Sequence, residues 1–477
     1  MRSDSVVARG GLVVAALCVV FGAAALPARA QDAALAERVD ELFAEYDRPG
    51  SPGCAVGVVR GGSLVFSKGY GLANLDHEIP LTPSSVFYLA SVSKQFTAAV
   101  VALLAADGLI GLDDDVREYV PELPDYGRVI TIRQLIHHTS GLRDYLTLMS
   151  MAGMRREDVH TDEEVLELLA RQRRLNFLPG DEHLYSNSGY FLVSVITRRV
   201  TGKSLREYAD EKIFRPLGMR NTHFHDDRTM VVKGRVTSYA PTGSGGYRLD
   251  YWANFDKVGS GGLLSSVEDL ARWAANFYEN RLSAPDLLEL MHERGVLSNG
   301  DTLDYAFGLR IGTYRGLRTV GHGGSSMGFR THFLRFPDQR FTVIVLCNVG
   351  TASPAALAER IADLYLEDEF TTATVASAPR TDAGADRPPA SLPVARLEAY
   401  AGDYRSEELD VSYTLVVEGD RLVLRRPAAA ATRLVPLGDD AFRAGAWTLA
   451  FVRGPGDRVT GFTLDAPRAR GLEFVRR

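Results

Sequence analysis

The sequence predicts an α/β fold of the α+β kind: an antiparallel sheet flanked by helices, with an inserted helical lobe, followed by a small all-β unit. Three observations carry that expectation. Strand-like runs lie near both ends of residues 31–370, the stretch between them has helical periodicity, and residues 394–477 alternate in strand fashion. At 477 residues the chain is also too long for one ordinary core.

Taken in order, residues 32–46 have helical periodicity, and Pro49-Gly50-Ser51-Pro52-Gly53 breaks it. Residues 54–60 and 63–71 are β-rich and joined by Gly61-Gly62, a hairpin signal. Residues 94–201 read as mostly helical, and a further helix over 267–278 follows a Gly/Ser-rich loop. Strands return over 318–348, with Pro337-Asp338 between two of them, and a helix over 354–365 follows. This order implies a sheet assembled from both ends of the unit. Residues 371–393, rich in Ala, Thr, Pro, Gly and Asp, read as a linker. Beyond it, runs at 413–417 and 421–424 flank a Gly419-Asp420 turn. Further runs at 446–452 and 459–464 suggest a small antiparallel barrel or sandwich.

Residues 1–30 have the layout of a secretory signal peptide: Arg2 and Arg9, an apolar run over 10–26, and Ala28-Arg29-Ala30 before Gln31. The run is short for an uncleaved membrane anchor and a cleavage signal follows at once. Cys18 follows Leu17, where a lipoprotein signal needs a small residue. The expected location is therefore secreted or periplasmic, with no membrane association beyond export. Formal charge is −6, and removing the leader's three arginines and one aspartate makes the chain two units more negative. No basic stripe supports nucleic-acid binding.

Cys54 and Cys347 remain after the leader, both in strand-like runs. We expect two buried free thiols; export also permits a disulfide between them. Zinc needs a fuller ligand cluster than the sequence offers, so neither metal nor cofactor is expected.

Lys94 is one of only six lysines and the only one with a serine three residues before it, Ser91. A serine hydroxyl is a poor nucleophile until a neighbour takes its proton. Lysine does so only as the neutral amine, which requires its reference pKa of about 10.4 to fall by roughly three units. A second element, Tyr185-Ser186-Asn187, follows a Pro179-Gly180 turn and precedes an apolar helix. A buried tyrosinate beside a cationic lysine can act as general base, and the asparagine amide can orient the lysine or a substrate carbonyl. Tyr278-Glu279-Asn280 repeats the spacing but ends an amphipathic helix, and we read it as structural. A third element, His322-Gly323-Gly324-Ser325, precedes a strand-like run. Its small residues allow a substrate backbone to lie alongside and a main-chain N–H to face a developing oxyanion. The histidine could donate to the leaving group. Lys257-Val258-Gly259-Ser260 is a weaker rival, since it precedes a helix.

In this order the three elements resemble the serine β-lactamase and penicillin-binding protein superfamily, nearest its class C β-lactamase-like branch of serine DD-peptidases and related esterases. Ser-x-x-Lys is that superfamily's nucleophile motif. Similar phrasing occurs at 130–142, at Pro216-Leu217-Gly218-Met219 and at 261–270, so the resemblance covers roughly residues 35–370. It implies a β-lactamase/transpeptidase-like fold, with a tail like the β-barrel appendages of some relatives. It further implies that Ser91 is acylated, that Lys94 and Tyr185 share proton transfer and that Asn187 positions substrate. The oxyanion hole would be the backbone N–H groups of Ser91 and Ser325, with His322 and Gly324 lining the substrate strand. His322 stands where many relatives carry lysine, which weakens the case for a β-lactam; Arg330 would supply the missing charge if its side chain enters the cleft. His137 and His138 become a structural helix end by the same likeness.

The function expected is an exported serine hydrolase cleaving an ester or amide of a small molecule or peptide through an acyl-enzyme on Ser91. The alternatives are a D-amino-acid peptidase (DD-carboxypeptidase or D-aminopeptidase), a class C-type β-lactamase, and a non-catalytic sensor or binding protein. Pocket shape would come from loops at 146–162 and 242–255.

Overall fold

Both faces of the first strand-like run are apolar, which requires cover on both sides. The computed structural model, which describes residues 25–251, 254–282, 284–372, 392–438 and 440–477, shows that cover. Strand β1 (Cys54–Arg60) is buried up to its last residue and pairs with β2 (Ser63–Tyr70) through the Gly61-Gly62 turn. On one face, Val56 and Val58 share a core with Val39 and Phe43 of helix α1 (Ala25–Phe43). On the other, Ala55 and Val59 share a core with the helices α2 (Lys94–Ala106), α3 (Asn187–Thr201) and α4 (Val267–Glu279). Gly57 sits where α4 comes closest, since a Cβ there would lie 2.5 Å from Cγ1 of Val267.

The return strands are β3 (Arg310–Tyr314), β4 (Leu317–Ser326), β5 (Phe329–Phe336) and β6 (Phe341–Cys347), and α5 (Pro354–Tyr365) follows. The sheet order is β3-β4-β5-β6-β1-β2, antiparallel at every pairing. The early hairpin and the late strands therefore meet at β1–β6, as the two-ended pattern implied. Strand β3 went unforeseen because it is largely exposed and carries no apolar alternation.

The cysteine expectation is corrected by this register. Cys54 and Cys347 are directly paired residues of β1 and β6, their Cα atoms 4.0 Å apart, and they form a disulfide. Each reads in sequence as one more apolar position of a buried strand; only the register sets them opposite each other.

The inserted lobe is less continuous than its periodicity suggested. Between α2 and α3 lie short helices at Val116–Tyr119, Ile132–Ile136, Tyr145–Met151 and Asp162–Ala170. Capping boxes at Thr131/Gln134 and Thr161/Glu164 start two of them, satisfying backbone N–H groups that a helix start leaves unpaired.

Beyond the body, strands β7 (Gly402–Ser406), β8 (Val411–Glu418), β9 (Arg421–Arg425), β10 (Thr432–Arg433), β11 (Val435–Gly438), β12 (Ala441–Ala444), β13 (Trp447–Arg453), β14 (Val459–Ala466) and β15 (Ala469–Arg476) form one sheet. Its order is β10-β9-β8-β7-β15-β14-β13-β12-β11. The two edge strands are joined through Leu434 alone, so the sheet curls until its edges nearly meet. That near-closure settles the barrel-or-sandwich alternative in favour of a barrel around Tyr404, Phe442, Phe462 and Phe474. Residues 1–24, most of the expected leader, lie outside the described residues, as does most of the 371–393 linker. Among the described residues no helix is long and apolar enough to cross a membrane.

Candidate active site

A 3₁₀ turn (Ala90–Ser93) leads into α2 and carries Ser91. Ala90 takes φ +50°, a conformation costing a non-glycine residue about 1–2 kcal/mol, so the surroundings must hold it. They do. Ser93 Oγ donates to Ala90 O at 2.6 Å and accepts from Leu263 N at 3.2 Å, and Thr331 Oγ1 of β5 donates to Leu89 O at 2.8 Å. Gly324 lets β4 lie against this turn: a Cβ there would fall 2.3 Å from both Leu89 O and Thr331 Oγ1.

One helical turn on, Lys94 is completely buried. Its Nζ lies 3.4 Å from Ser91 Oγ and donates to Asn187 Oδ1 at 2.9 Å and to Ser260 O at 2.5 Å. The rings of Tyr185 and Tyr190 flank it, 4.8 and 5.3 Å from Nζ to their centroids. Burial drives the lysine well below its ordinary value; Asp144 opposes that and Arg468 adds to it. Tyr185 moves the other way. Burial raises its phenol, with Ser91 and Arg468 pulling back, and its hydroxyl is screened from solvent without a well-aligned hydrogen-bond partner. Burial thus favours the uncharged form of both groups, the reverse of a tyrosinate beside an ammonium.

Asn187 opens α3, capped by Ser186, whose Oγ accepts from Ser188 N at 3.3 Å. Its backbone N–H and its Nδ2 both donate to Asp144 Oδ2 at 2.7 Å, which turns its carbonyl oxygen toward Lys94. Asp144 is the site residue that motif reading missed. It precedes a short helix as N-cap, a common use of aspartate, and its partner is 43 positions away. Ser260 was likewise underrated. Lys257 beside it pairs with Asp162 and Asp256, while the Ser260 carbonyl receives Lys94.

His322 lines the cleft but carries no charge there. Burial, with Lys94 nearby, lowers it to about 3. Nδ1 faces Gly323 O at 2.6 Å and Nε2 faces Tyr305 Oη at 3.1 Å. A carbonyl only accepts, so those partners assign the proton to Nδ1 and leave Nε2 as acceptor. The expected donation to a leaving group is thereby corrected. Arg330 borders the cleft, but its Nη1 donates back to Met327 O and Phe329 O. His138, at φ +60° past the helix end, supports the site: its ring lies 4.2 Å from that of Tyr185 and its Nδ1 accepts from Ser186 N. Tyr278 packs instead on Arg335 and Arg340 and has no part in the cleft. Gly-x-Ser-x-Gly spacing also occurs over 324–328, but Ser326 ends a strand at a hairpin turn rather than entering a helix, unlike a nucleophile elbow.

A cavity of about 690 Å³ opens over this assembly, lined by Ser91, Tyr185, Asn187, His322, Gly324 and Ser325 among others, with Lys94 beneath. Leu146, Thr147 and Arg156 from 146–162 and Phe255 from 242–255 supply walls, the first two standing on the short helix Tyr145–Met151 rather than in a loop. Among the described residues no cluster of His, Cys, Asp and Glu suited to a metal occurs.

The family profile described as Beta-lactamase matches residues 36–366, which hold Ser91, Lys94, Asp144, Tyr185, Asn187, Ser260 and His322. The chain belongs to the Beta-lactamase family. Within that family it is 32% identical over 313 residues to a D-aminopeptidase of Gluconobacter oxydans, covering 65% of this chain and 58% of that one. It is 31% identical over 308 residues to penicillin-binding protein 4* of Bacillus subtilis, covering 60% and 66%. The chain thus spans less than two thirds of either relative. The octameric penicillin-binding protein homologue from Pyrococcus abyssi superposes with a TM-score of 0.62 at 23% identity, over 93% of this chain and 99% of that one. The D-amino acid amidase from Ochrobactrum anthropi gives 0.58 at 22%, over 70% and 99%. Those two likenesses are of fold.

Proposed function

We propose that this protein is an exported serine hydrolase that cleaves amides or esters through an acyl-enzyme on Ser91. One observation carries the reading: a buried lysine amine sits 3.4 Å from the Ser91 hydroxyl, fixed from behind by Asn187 and Ser260 and flanked by Tyr185.

Neutral Lys94 removes the Ser91 proton as Oγ bonds to the substrate carbonyl carbon. The oxyanion forms against β4, where the Ser325 N–H is the expected donor, and losing one such donor typically costs about 3–4 kcal/mol. Tyr185, held as the phenol, protonates the departing nitrogen or oxygen as that bond breaks. The Lys94 ammonium then returns its proton to the phenolate, which restores both groups. Water repeats the cycle on the ester, with Ser91 leaving. The relatives named D-aminopeptidase support D-configured peptides as the substrate class. The leader-like sequence and the Cys54–Cys347 disulfide support export, since disulfides persist in oxidising compartments.

Purified protein should turn over p-nitrophenyl acetate or an acetylated D-Ala-D-Ala peptide, and a fluorophosphonate should add covalently at Ser91. Ser91→Ala should abolish both. Absence of any adduct and any turnover in folded protein would leave a binding or sensor role instead. Mass spectrometry of exported protein should find Gln31 at its N-terminus.

A further inference from the structure

The β14–β15 turn of the C-terminal barrel reaches into the cleft of the other unit. Arg468, at its tip, lines the same cavity as Ser91, and its guanidinium carbon lies 4.8 Å from the Tyr185 ring centroid. The backbone of this turn is held firmly. Arg468 O accepts from Asp144 N at 3.0 Å and from Asn176 Nδ2 at 3.2 Å, and Arg470 N donates to Asn176 Oδ1 at 2.8 Å. Beneath it, Arg143 donates to Arg470 O, Gly471 O and Glu408, its own side chain 0% exposed. The Arg468 side chain is exposed and, among the described residues, pairs with no carboxylate. Arg310 of β3 lines the same cavity, also exposed and without a carboxylate partner among the described residues.

The charges of this cavity are lopsided. Asp144 is its only acidic side chain among the described residues, and both its oxygens are engaged by Asn187 and Thr147. His322 is uncharged and both its nitrogens are occupied. A free substrate ammonium would meet a wall carrying four arginines, Arg156, Arg310, Arg330 and Arg468, and no available anion. A carboxylate would find two planar donors suited to bidentate pairing.

We propose that Arg468, delivered by the barrel and seconded by Arg310, recognises a carboxylate on the leaving side of the scissile bond. The favoured substrate is then a peptide with a free C-terminal carboxylate, and the barrel contributes a specificity residue to the site. This rests on the acyl-enzyme reading above. It runs against transferring an aminopeptidase specificity from the named relatives.

The test compares three substrates: N-acetyl-D-Ala-D-Ala, its C-terminal amide, and D-Ala-p-nitroanilide, which offers an ammonium and no carboxylate. Wild type should favour the free acid over the amide by at least about tenfold in kcat/KM, a factor matching one charge-assisted hydrogen bond. Arg468→Gln should collapse that ratio toward unity, mainly through KM for the acid, and Arg468→Lys should retain part of it. Raising ionic strength should shrink the wild-type ratio. An unchanged ratio in folded Arg468→Gln, or a wild-type preference for the anilide, overturns the proposal. Ester turnover and a Ser91 adduct accompanying either result would leave the hydrolase reading standing. Loss of those two signals as well would remove both.

Discussion

The carboxylate of Asp144 accepts both the backbone N–H and the side-chain amide of Asn187, each at 2.7 Å. That pairing fixes which end of the amide faces Lys94. Asp144→Ala should free the amide to rotate and leave two buried donors unpaired. We expect acylation to slow by roughly a hundredfold, as when reacting groups lose alignment. Stability should fall by about 1–3 kcal/mol. Stopped-flow p-nitrophenol release and thermal melting measure the two effects separately.

Activity should follow the uncharged lysine. Lys94 is held below its ordinary value by burial, so kcat/KM should rise with pH through that lowered value, as the ammonium loses its proton. Tyr185 is held above its ordinary value and remains the phenol, so no falling limb should appear up to about pH 9. Lys94→Met should remove the rising limb along with most of the rate. A bell with a falling limb near neutrality would assign Tyr185 the opposite role.

Gly324 and Gly323 are adjacent but should respond differently to a methyl group. At Gly324 a Cβ meets the backbone oxygen of Leu89 and Thr331 Oγ1 at 2.3 Å, and moving Leu89 moves Ser91. At Gly323 the nearest atom is 3.2 Å away on the His332 side chain. Gly324→Ala should lower kcat/KM by at least about a hundredfold, and Gly323→Ala by far less. Circular dichroism should show both folded.

Arg143 and Glu408 form a buried pair, 0% and 5% exposed, that ties the lobe to the barrel. Removing one partner leaves a buried uncompensated charge. Glu408→Ala should cost about 3–5 kcal/mol. Calorimetry should show the loss, and limited proteolysis should cut Glu408→Ala faster between body and barrel.

Reducing the Cys54–Cys347 bridge should lower stability by about 2–4 kcal/mol through a freer unfolded chain. Turnover at room temperature should persist, since the bridge lies on β1 and β6 while the nucleophile turn packs against β4 and β5. Thiol titration should count two additional thiols after reduction.

Much of this molecule was legible in the sequence because local rules suffice for it. The Gly61-Gly62 hairpin, α4 and α5 each have their own periodicity and punctuation, and Ser91, Lys94, Tyr185 and Asn187 sit in short motifs. What escaped reading depends on distant segments meeting. Asp144 looks like any helix cap until Asn187 arrives beside it. Arg468 is one arginine among many in a strand-rich tail, and nothing local ties it to Tyr185. The charge of His322 is set by burial and by Lys94 nearby, neither visible in His-Gly-Gly. The cysteines needed a register, and a register needs the whole sheet.

The joining of β1 to β6 also has a temporal side. Cys54 and Cys347 are 293 positions apart, so β1 offers an unpaired apolar edge until the far strand has been made. At ribosomal synthesis rates that interval is on the order of 15–60 s. Such high contact order slows folding. The body can complete its sheet only after Cys347 has been added, and the barrel that carries Arg468 comes later still. The nucleophile is therefore laid down well before the residue proposed to select its substrate.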